Sequence, residues 1–118
     1  MINLYHNARC SKSRAAHALL EKSGHEFQTV FYLDTLPTAD TLLKLLNKGD
    51  FGATALVRFG EAKAKDLGLK KSDALSDKQW CELLAKYPQL IERPIVETDT
   101  SAAIGRPIDN IHRLLDSL

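Results

Sequence analysis

Apolar and polar positions alternate over Ile2-Asn3-Leu4-Tyr5-His6, the two-residue period of a half-buried strand, and Asn7 and Ala8 turn the chain out of it. The period then changes. Ala15, Ala16, Leu19 and Leu20 recur at helical spacing, and Ser23-Gly24 supplies a stop because glycine takes a left-handed cap without steric cost. From about Phe27 to Leu33, β-branched and aromatic residues predict a second strand. A strand, a helix and a strand in succession predict parallel pairing through a right-handed crossover. Pro37 suits the first turn of the next helix, whose Leu42, Leu43, Leu45 and Leu46 form an apolar face before Gly49 closes it. Asp50 to Ala74 has weaker periodicity and predicts short helices and loops, with Arg58 between them. Ser76-Asp77-Lys78-Gln79 matches a capping box, and the helix it opens carries Trp80, Leu83, Leu84 and Tyr87 until Pro88 ends it. Ile95-Val96, the polar run Glu97-Thr98-Asp99-Thr100 and Ala102-Ala103-Ile104 predict two antiparallel strands about a turn. Pro107 then begins a last helix with Ile108, Ile111, Leu114 and Leu115 on one side.

The predicted order is βαβ, a helical stretch, then ββα. This is the plan of a thioredoxin-like α/β (α+β) fold, a small mixed four-stranded sheet covered by helices, with an inserted helical region between its two parts. No repeat, long linker or low-complexity segment interrupts the chain, so residues 1–118 are expected to form a single domain. The Arg93-Pro94 bond, ahead of a strand, is a candidate cis peptide.

Composition narrows the function. A formal net charge of +1 gives no global field to attract nucleic acid or an anionic membrane, so any preference for anions must be made locally. No apolar run approaches membrane-spanning length and Met1-Ile2-Asn3-Leu4 lacks the regions of a secretory signal, so a cytoplasmic protein is expected. No His/Cys cluster has zinc-ligand spacing, and neither a metal nor a bound cofactor is expected. Small size without an obvious exposed apolar stripe predicts a monomer.

The two cysteines, Cys10 and Cys81, stand in different contexts. Cys10 falls where the first strand has ended and the first helix begins. Helix N-terminal amides lack intrahelical partners and carry partial positive charge, which binds anions and favours thiolate over thiol. Arg9, Lys12 and Arg14 add charge of the same sign, and Ser11, Lys12 and Ser13 are poor walls for a buried thiol. Cys10 is therefore expected to be a nucleophile facing an oxyanion. Cys81 lies in mid-helix beside an apolar stripe and is expected to be a packing residue. Ser13 stands three residues after Cys10, so no cysteine-x-x-cysteine pair is present, and if Cys10 does redox chemistry the second thiol is expected to come from another molecule.

Three segments, Tyr5-His6-Asn7-Ala8-Arg9-Cys10-Ser11-Lys12-Ser13-Arg14, Arg93-Pro94-Ile95-Val96 and Gly105-Arg106-Pro107, closely resemble the ArsC-type, glutaredoxin-dependent arsenate reductases, and within them the short YfgD-like subgroup. The resemblance runs from the first strand to the last helix. It implies reduction of arsenate to arsenite and a part in arsenical resistance. It implies that Cys10 attacks arsenate, that Arg58, Arg93 and Arg106 hold the oxyanion, and that His6 helps keep the thiol ionised. The amides and side chains of Ser11, Lys12, Ser13 and Arg14 are further candidates for contact with it. Glutathione is the implied co-substrate and glutaredoxin the implied protein partner. Phe59-Gly60-Glu61 departs from the family's commoner polar continuation after the arginine at Arg58.

Two other functions fit a thiol on this fold. Spx-type regulators share the fold and bind RNA polymerase, but many carry a cysteine pair where this chain has Cys10 and Ser13. A thiol oxidoreductase acting on a different oxyanion would keep a reactive Cys10 and ignore arsenate.

Overall fold

A computed structural model describes residues 1–118. The elements are β1 (Ile2–Tyr5), α1 (Ser11–Ser23), β2 (Phe27–Val30), α2 (Ala39–Lys48), α3 (Ala62–Asp66), α4 (Asp77–Lys86), β3 (Ile95–Glu97), β4 (Ala102–Ile104) and α5 (Asp109–Asp116). Single 3₁₀ turns at Ala53–Leu56 and Pro88–Leu90 complete the helical region between β2 and β3. The sheet order is β2-β1-β3-β4, with β1 parallel to β2 and antiparallel to β3, and β3 antiparallel to β4. The expected βαβ and ββα parts thus meet along β1 and β3.

Strand alternation divides the core between the two faces of this sheet. Ile2, Leu4 and Val96 pack with Ala16 and Leu20 of α1 and Ile111 and Leu114 of α5. Tyr5, Ile95 and Ala102 point the other way, into a larger core with Leu42, Leu45 and Leu46 of α2 and Trp80, Cys81 and Leu84 of α4. The same face carries a polar strut. Glu97, buried in β3 opposite Asn3, accepts hydrogen bonds from Lys48 Nζ at 2.9 Å, Tyr5 Oη at 3.1 Å and Asn3 Nδ2 at 3.1 Å.

The stop signals are as expected at two helix ends. Gly24 takes φ 79° at the end of α1, and Ser76 and Gln79 form a reciprocal capping box on α4. Four boundaries differ from expectation. The second strand stops at Val30 because Phe31 O accepts from both Asp34 N and Thr35 N, folding Phe31 to Leu33 into a turn that exposes Phe31, Leu33 and Leu36. Pro37 lies outside α2, whose cap is Thr38, with Oγ1 accepting from Thr41 N at 3.1 Å. Glu97 belongs to β3 rather than to the turn. Pro107 precedes α5, and its bond to Arg106 is cis, as is Arg93-Pro94.

Candidate active site

The loop between β1 and α1 is built by Asn7. Its side-chain Oδ1 accepts from Arg9 N at 3.0 Å and its carbonyl from Cys10 N at 3.0 Å, a local turn that asparagine favours. Cys10 is left at the N-cap of α1 with extended backbone (φ −95°, ψ 125°), and its carbonyl accepts the first intrahelical bond from Arg14 N at 3.0 Å. Ser, Thr or Asp usually occupies such a position and accepts from the free amides of the first turn. Here a half-buried thiol stands in that place. Burial pushes the Cys10 pKa up, but the N–H groups of Ser13 and Lys12 and the Arg93 guanidinium outweigh it and hold the thiol below its ordinary value. Cys81 shows the opposite. Buried in α4 beside Asp77, with no helix amides to face, it is pushed up to about 11.

Two arginines reach this sulfur from the distant half of the chain. Arg106 Nη2 lies 3.6 Å from Cys10 Sγ, while its Nε donates to Arg93 O at 2.7 Å. Arg93 faces the thiol too, and its Nε is buried without a hydrogen-bond partner. Leaving a guanidinium N–H unpaired is costly, and the Arg93 group that carries this one also faces the thiol, where it is suited to an anionic ligand. Gly105 allows this approach. A methyl group there would lie 2.8 Å from the Pro94 ring and 2.6 Å from Ile111, so any side chain would push the Arg106 loop off Pro94.

Arg58 stands one step back. Its Nη1 pairs with Glu61 at 3.0 Å and its Nε lies 3.9 Å from Glu92. The stretch Phe59-Gly60-Glu61, which departs from the family's commoner continuation, therefore supplies in Glu61 the carboxylate that holds Arg58. Glu92 joins the arginines together, with Oε1 accepting from Arg93 N at 3.1 Å and lying 3.2 Å from Arg106 Nε. A cavity of about 500 Å³ opens beside Arg106 and Glu92, with Phe51, Ile104, Asn110 and Arg113 on its walls.

Several expected oxyanion contacts have other employment. Arg14 Nη1 donates to Ala8 O at 2.9 Å, bracing the loop from beneath. The Ser13 hydroxyl is fully buried, accepting from Asn7 N at 3.0 Å and lying 2.7 Å from His6 Nδ1, so only its backbone N–H is offered to the sulfur. Lys12 likewise contributes its amide, and its side chain, like that of Ser11, is exposed. His6 contacts Ser13 rather than Cys10, and burial, His17 and Arg14 lower its pKa. Two residues near the site had not been singled out from sequence. Glu92 is one, and Tyr32 is the other: it is 2% exposed, with Arg93, Arg58, Cys10 and Asn7 around its hydroxyl. Among the side chains no group of three His, Cys, Asp or Glu is placed to hold a metal ion.

A helix-terminal cysteine on a mixed β2-β1-β3-β4 sheet, approached by the residues before and after the last hairpin, defines a thioredoxin-like protein with a single thiol flanked by arginines. The chain belongs to the ArsC family, whose model matches residues 5–114. A Neisseria meningitidis serogroup B protein named arsenate reductase is 42% identical over 115 residues, 97% of each chain. The protein YfgD of Escherichia coli, described as uncharacterized, is 40% identical over 111 residues, 93% of this chain and 92% of that one. A solved structure of an arsenate reductase from Vibrio cholerae superimposes with a TM-score of 0.87 at 38% identity, covering 95% of each chain.

Proposed function

We propose that the protein is an arsenate reductase in which the Cys10 thiolate attacks arsenate and external thiols complete the reduction. The observation that carries this is the juxtaposition of a thiol of lowered pKa with Arg106 Nη2 at 3.6 Å and the Arg93 guanidinium. Arsenate is an anion at neutral pH and repels a thiolate. The helix amides and two guanidiniums supply the compensating donors, and a guanidinium fork matches two oxyanion oxygens while staying charged at any working pH. Relatives named arsenate reductase support arsenate as the substrate.

Cys10 Sγ forms a bond to arsenic as one arsenate oxygen leaves, protonated, as water. Glutathione then attacks the arsenic as a second oxygen leaves, protonated, as water, and a glutaredoxin thiol takes the glutathione sulfur as a mixed disulfide, leaving the electron pair of that sulfur–arsenic bond on arsenic. Arsenic gains the two electrons that the two external sulfurs lose, and water cleaves the remaining Cys10–arsenic bond to release arsenite and the free thiol. Cys81, buried on the far core, takes no part. The Cys10–Ser13 pair has no second sulfur, which favours this use of external thiols over an internal disulfide.

Steady-state arsenite formation with glutathione and glutaredoxin tests this directly. The wild type should turn over, Cys10→Ser should be inactive, and Cys81→Ser should keep most of the rate. Equal loss in both variants, or no arsenite from the wild type, would contradict it.

A further inference from the structure

We propose that Glu92 makes this site selective for oxyanions that carry a proton, its carboxylate accepting a hydrogen bond from the ligand's O–H while the guanidiniums hold the bare oxygens. The inference rests on the oxyanion site proposed above and names the protonation state of the ligand it takes.

A pocket built only to attract anions gains nothing from a carboxylate, which repels them. Yet Glu92 sits among the arginines, with Oε1 on Arg93 N, 3.2 Å from Arg106 Nε and 3.9 Å from Arg58 Nε. Its other oxygen, Oε2, has no hydrogen-bond or ion-pair partner in the protein. The side chain is 22% exposed and lines the cavity that opens beside Arg106. Nε and Nη2 are the two donors on one edge of a guanidinium. Nη2 of Arg106 lies 3.6 Å from the Cys10 sulfur, and Nε, which donates to Arg93 O, has Glu92 Oε1 3.2 Å away. Sulfur and carboxylate therefore flank the same guanidinium, and a tetrahedral ion held at the sulfur through Nη2 has Glu92 beside it.

An ionised carboxylate can only accept. Facing a bare anionic oxygen it repels and offers nothing in return, whereas facing an O–H it makes a charge-assisted hydrogen bond. At mildly alkaline pH hydrogen arsenate and hydrogen phosphate are dianions with one O–H. Sulfate has the same charge and a similar tetrahedral shape but no proton. The two cases differ at the one atom Glu92 can read. If Glu92 served only to hold Arg58 and Arg106 in place, its loss would change the affinity for both kinds of dianion alike.

The test is protection of Cys10 against iodoacetamide by inorganic phosphate or sulfate, read by mass spectrometry of the Cys10 peptide at mildly alkaline pH and matched ionic strength. Phosphate should protect the wild type at concentrations lower than sulfate by roughly tenfold or more, the scale of one hydrogen bond to a charged group. In Glu92→Gln, whose amide can donate to a bare oxygen, sulfate should gain and the preference should collapse towards equality. Equal protection of the wild type by the two ions would overturn the role of Glu92 while leaving the oxyanion site standing, and the wild-type comparison does not depend on the variant folding. A preference that survives in Glu92→Gln would overturn it too. Failure of phosphate, sulfate and arsenate alike to protect Cys10 would overturn the oxyanion site itself, and this inference with it.

Discussion

At the scale of single residues, the two cysteines show how position rather than residue type sets reactivity. Cys10 faces two helix amides and a guanidinium, and Cys81 faces hydrocarbon and an aspartate. Replacing Arg106 by alanine removes the guanidinium donor 3.6 Å from the sulfur, and arsenate turnover should fall by about 10²–10³, the usual effect of losing one preorganised donor. Arg58→Ala should cost less, because that guanidinium is already paired with Glu61. Steady-state rates of the two variants check the order. The importance of Cys10 was legible in the sequence because the features that mark it, a strand end, a helix start and neighbouring positive charge, are all local. The resemblance links His6 to the thiol, but the hydrogen-bonding contact with the Ser13 hydroxyl is one the sequence does not display. Glu92 is not marked by the sequence, since its contacts with Arg58 and Arg106 depend on segments that meet only in the folded chain.

At the scale of elements, the loop between β4 and α5 must lie flat against Pro94 for Arg106 to reach Cys10. Gly105→Ala places a methyl group against the Pro94 ring and Ile111, so the unfolding free energy should drop by about 1–3 kcal/mol, as overpacking commonly costs. Arsenate turnover should drop with it. Ser76→Ala is the control. It removes one half of the capping box on α4 at about 1 kcal/mol, far from the sulfur, and the Cys10 alkylation rate should not change. Thermal melts and alkylation rates of the two variants separate an element that builds the site from one that only supports the fold. The element order was readable because each change of hydrophobic period coincides with a cap or turn residue. Boundaries were less readable. Glu97-Thr98-Asp99-Thr100 has turn-like composition, yet Glu97 is in the strand because Lys48, Tyr5 and Asn3 satisfy its carboxylate across the sheet face.

At the scale of the whole molecule, the strut at Glu97 ties α2 to the centre of the sheet and links stability to pH. Burial pushes the Glu97 pKa up, but Lys48, Asn3 and Tyr5 overcome it and hold the carboxyl below its usual range. A carboxyl depressed by folding contributes stability that is fully present above its unfolded value, near ~4.3, and lost as pH falls through the folded one. Glu97→Gln should therefore flatten the acid limb of a stability–pH curve and cost about 1–3 kcal/mol at neutral pH, measured by denaturant unfolding. The same sheet that needs this strut brings residues 93 and 106 to the end of β1, where residue 10 waits, and no stretch of sequence alone displays that convergence. The central claim is that guanidiniums from the C-terminal half, together with helix amides, make the Cys10 sulfur anionic. Titrating the thiolate of Cys10 in the wild type and in Arg93→Ala tests it most directly. The wild-type midpoint should lie below the ~8.5 of a free thiol and rise when Arg93 is removed. A midpoint at the free-thiol value, unmoved by Arg93→Ala, would contradict it.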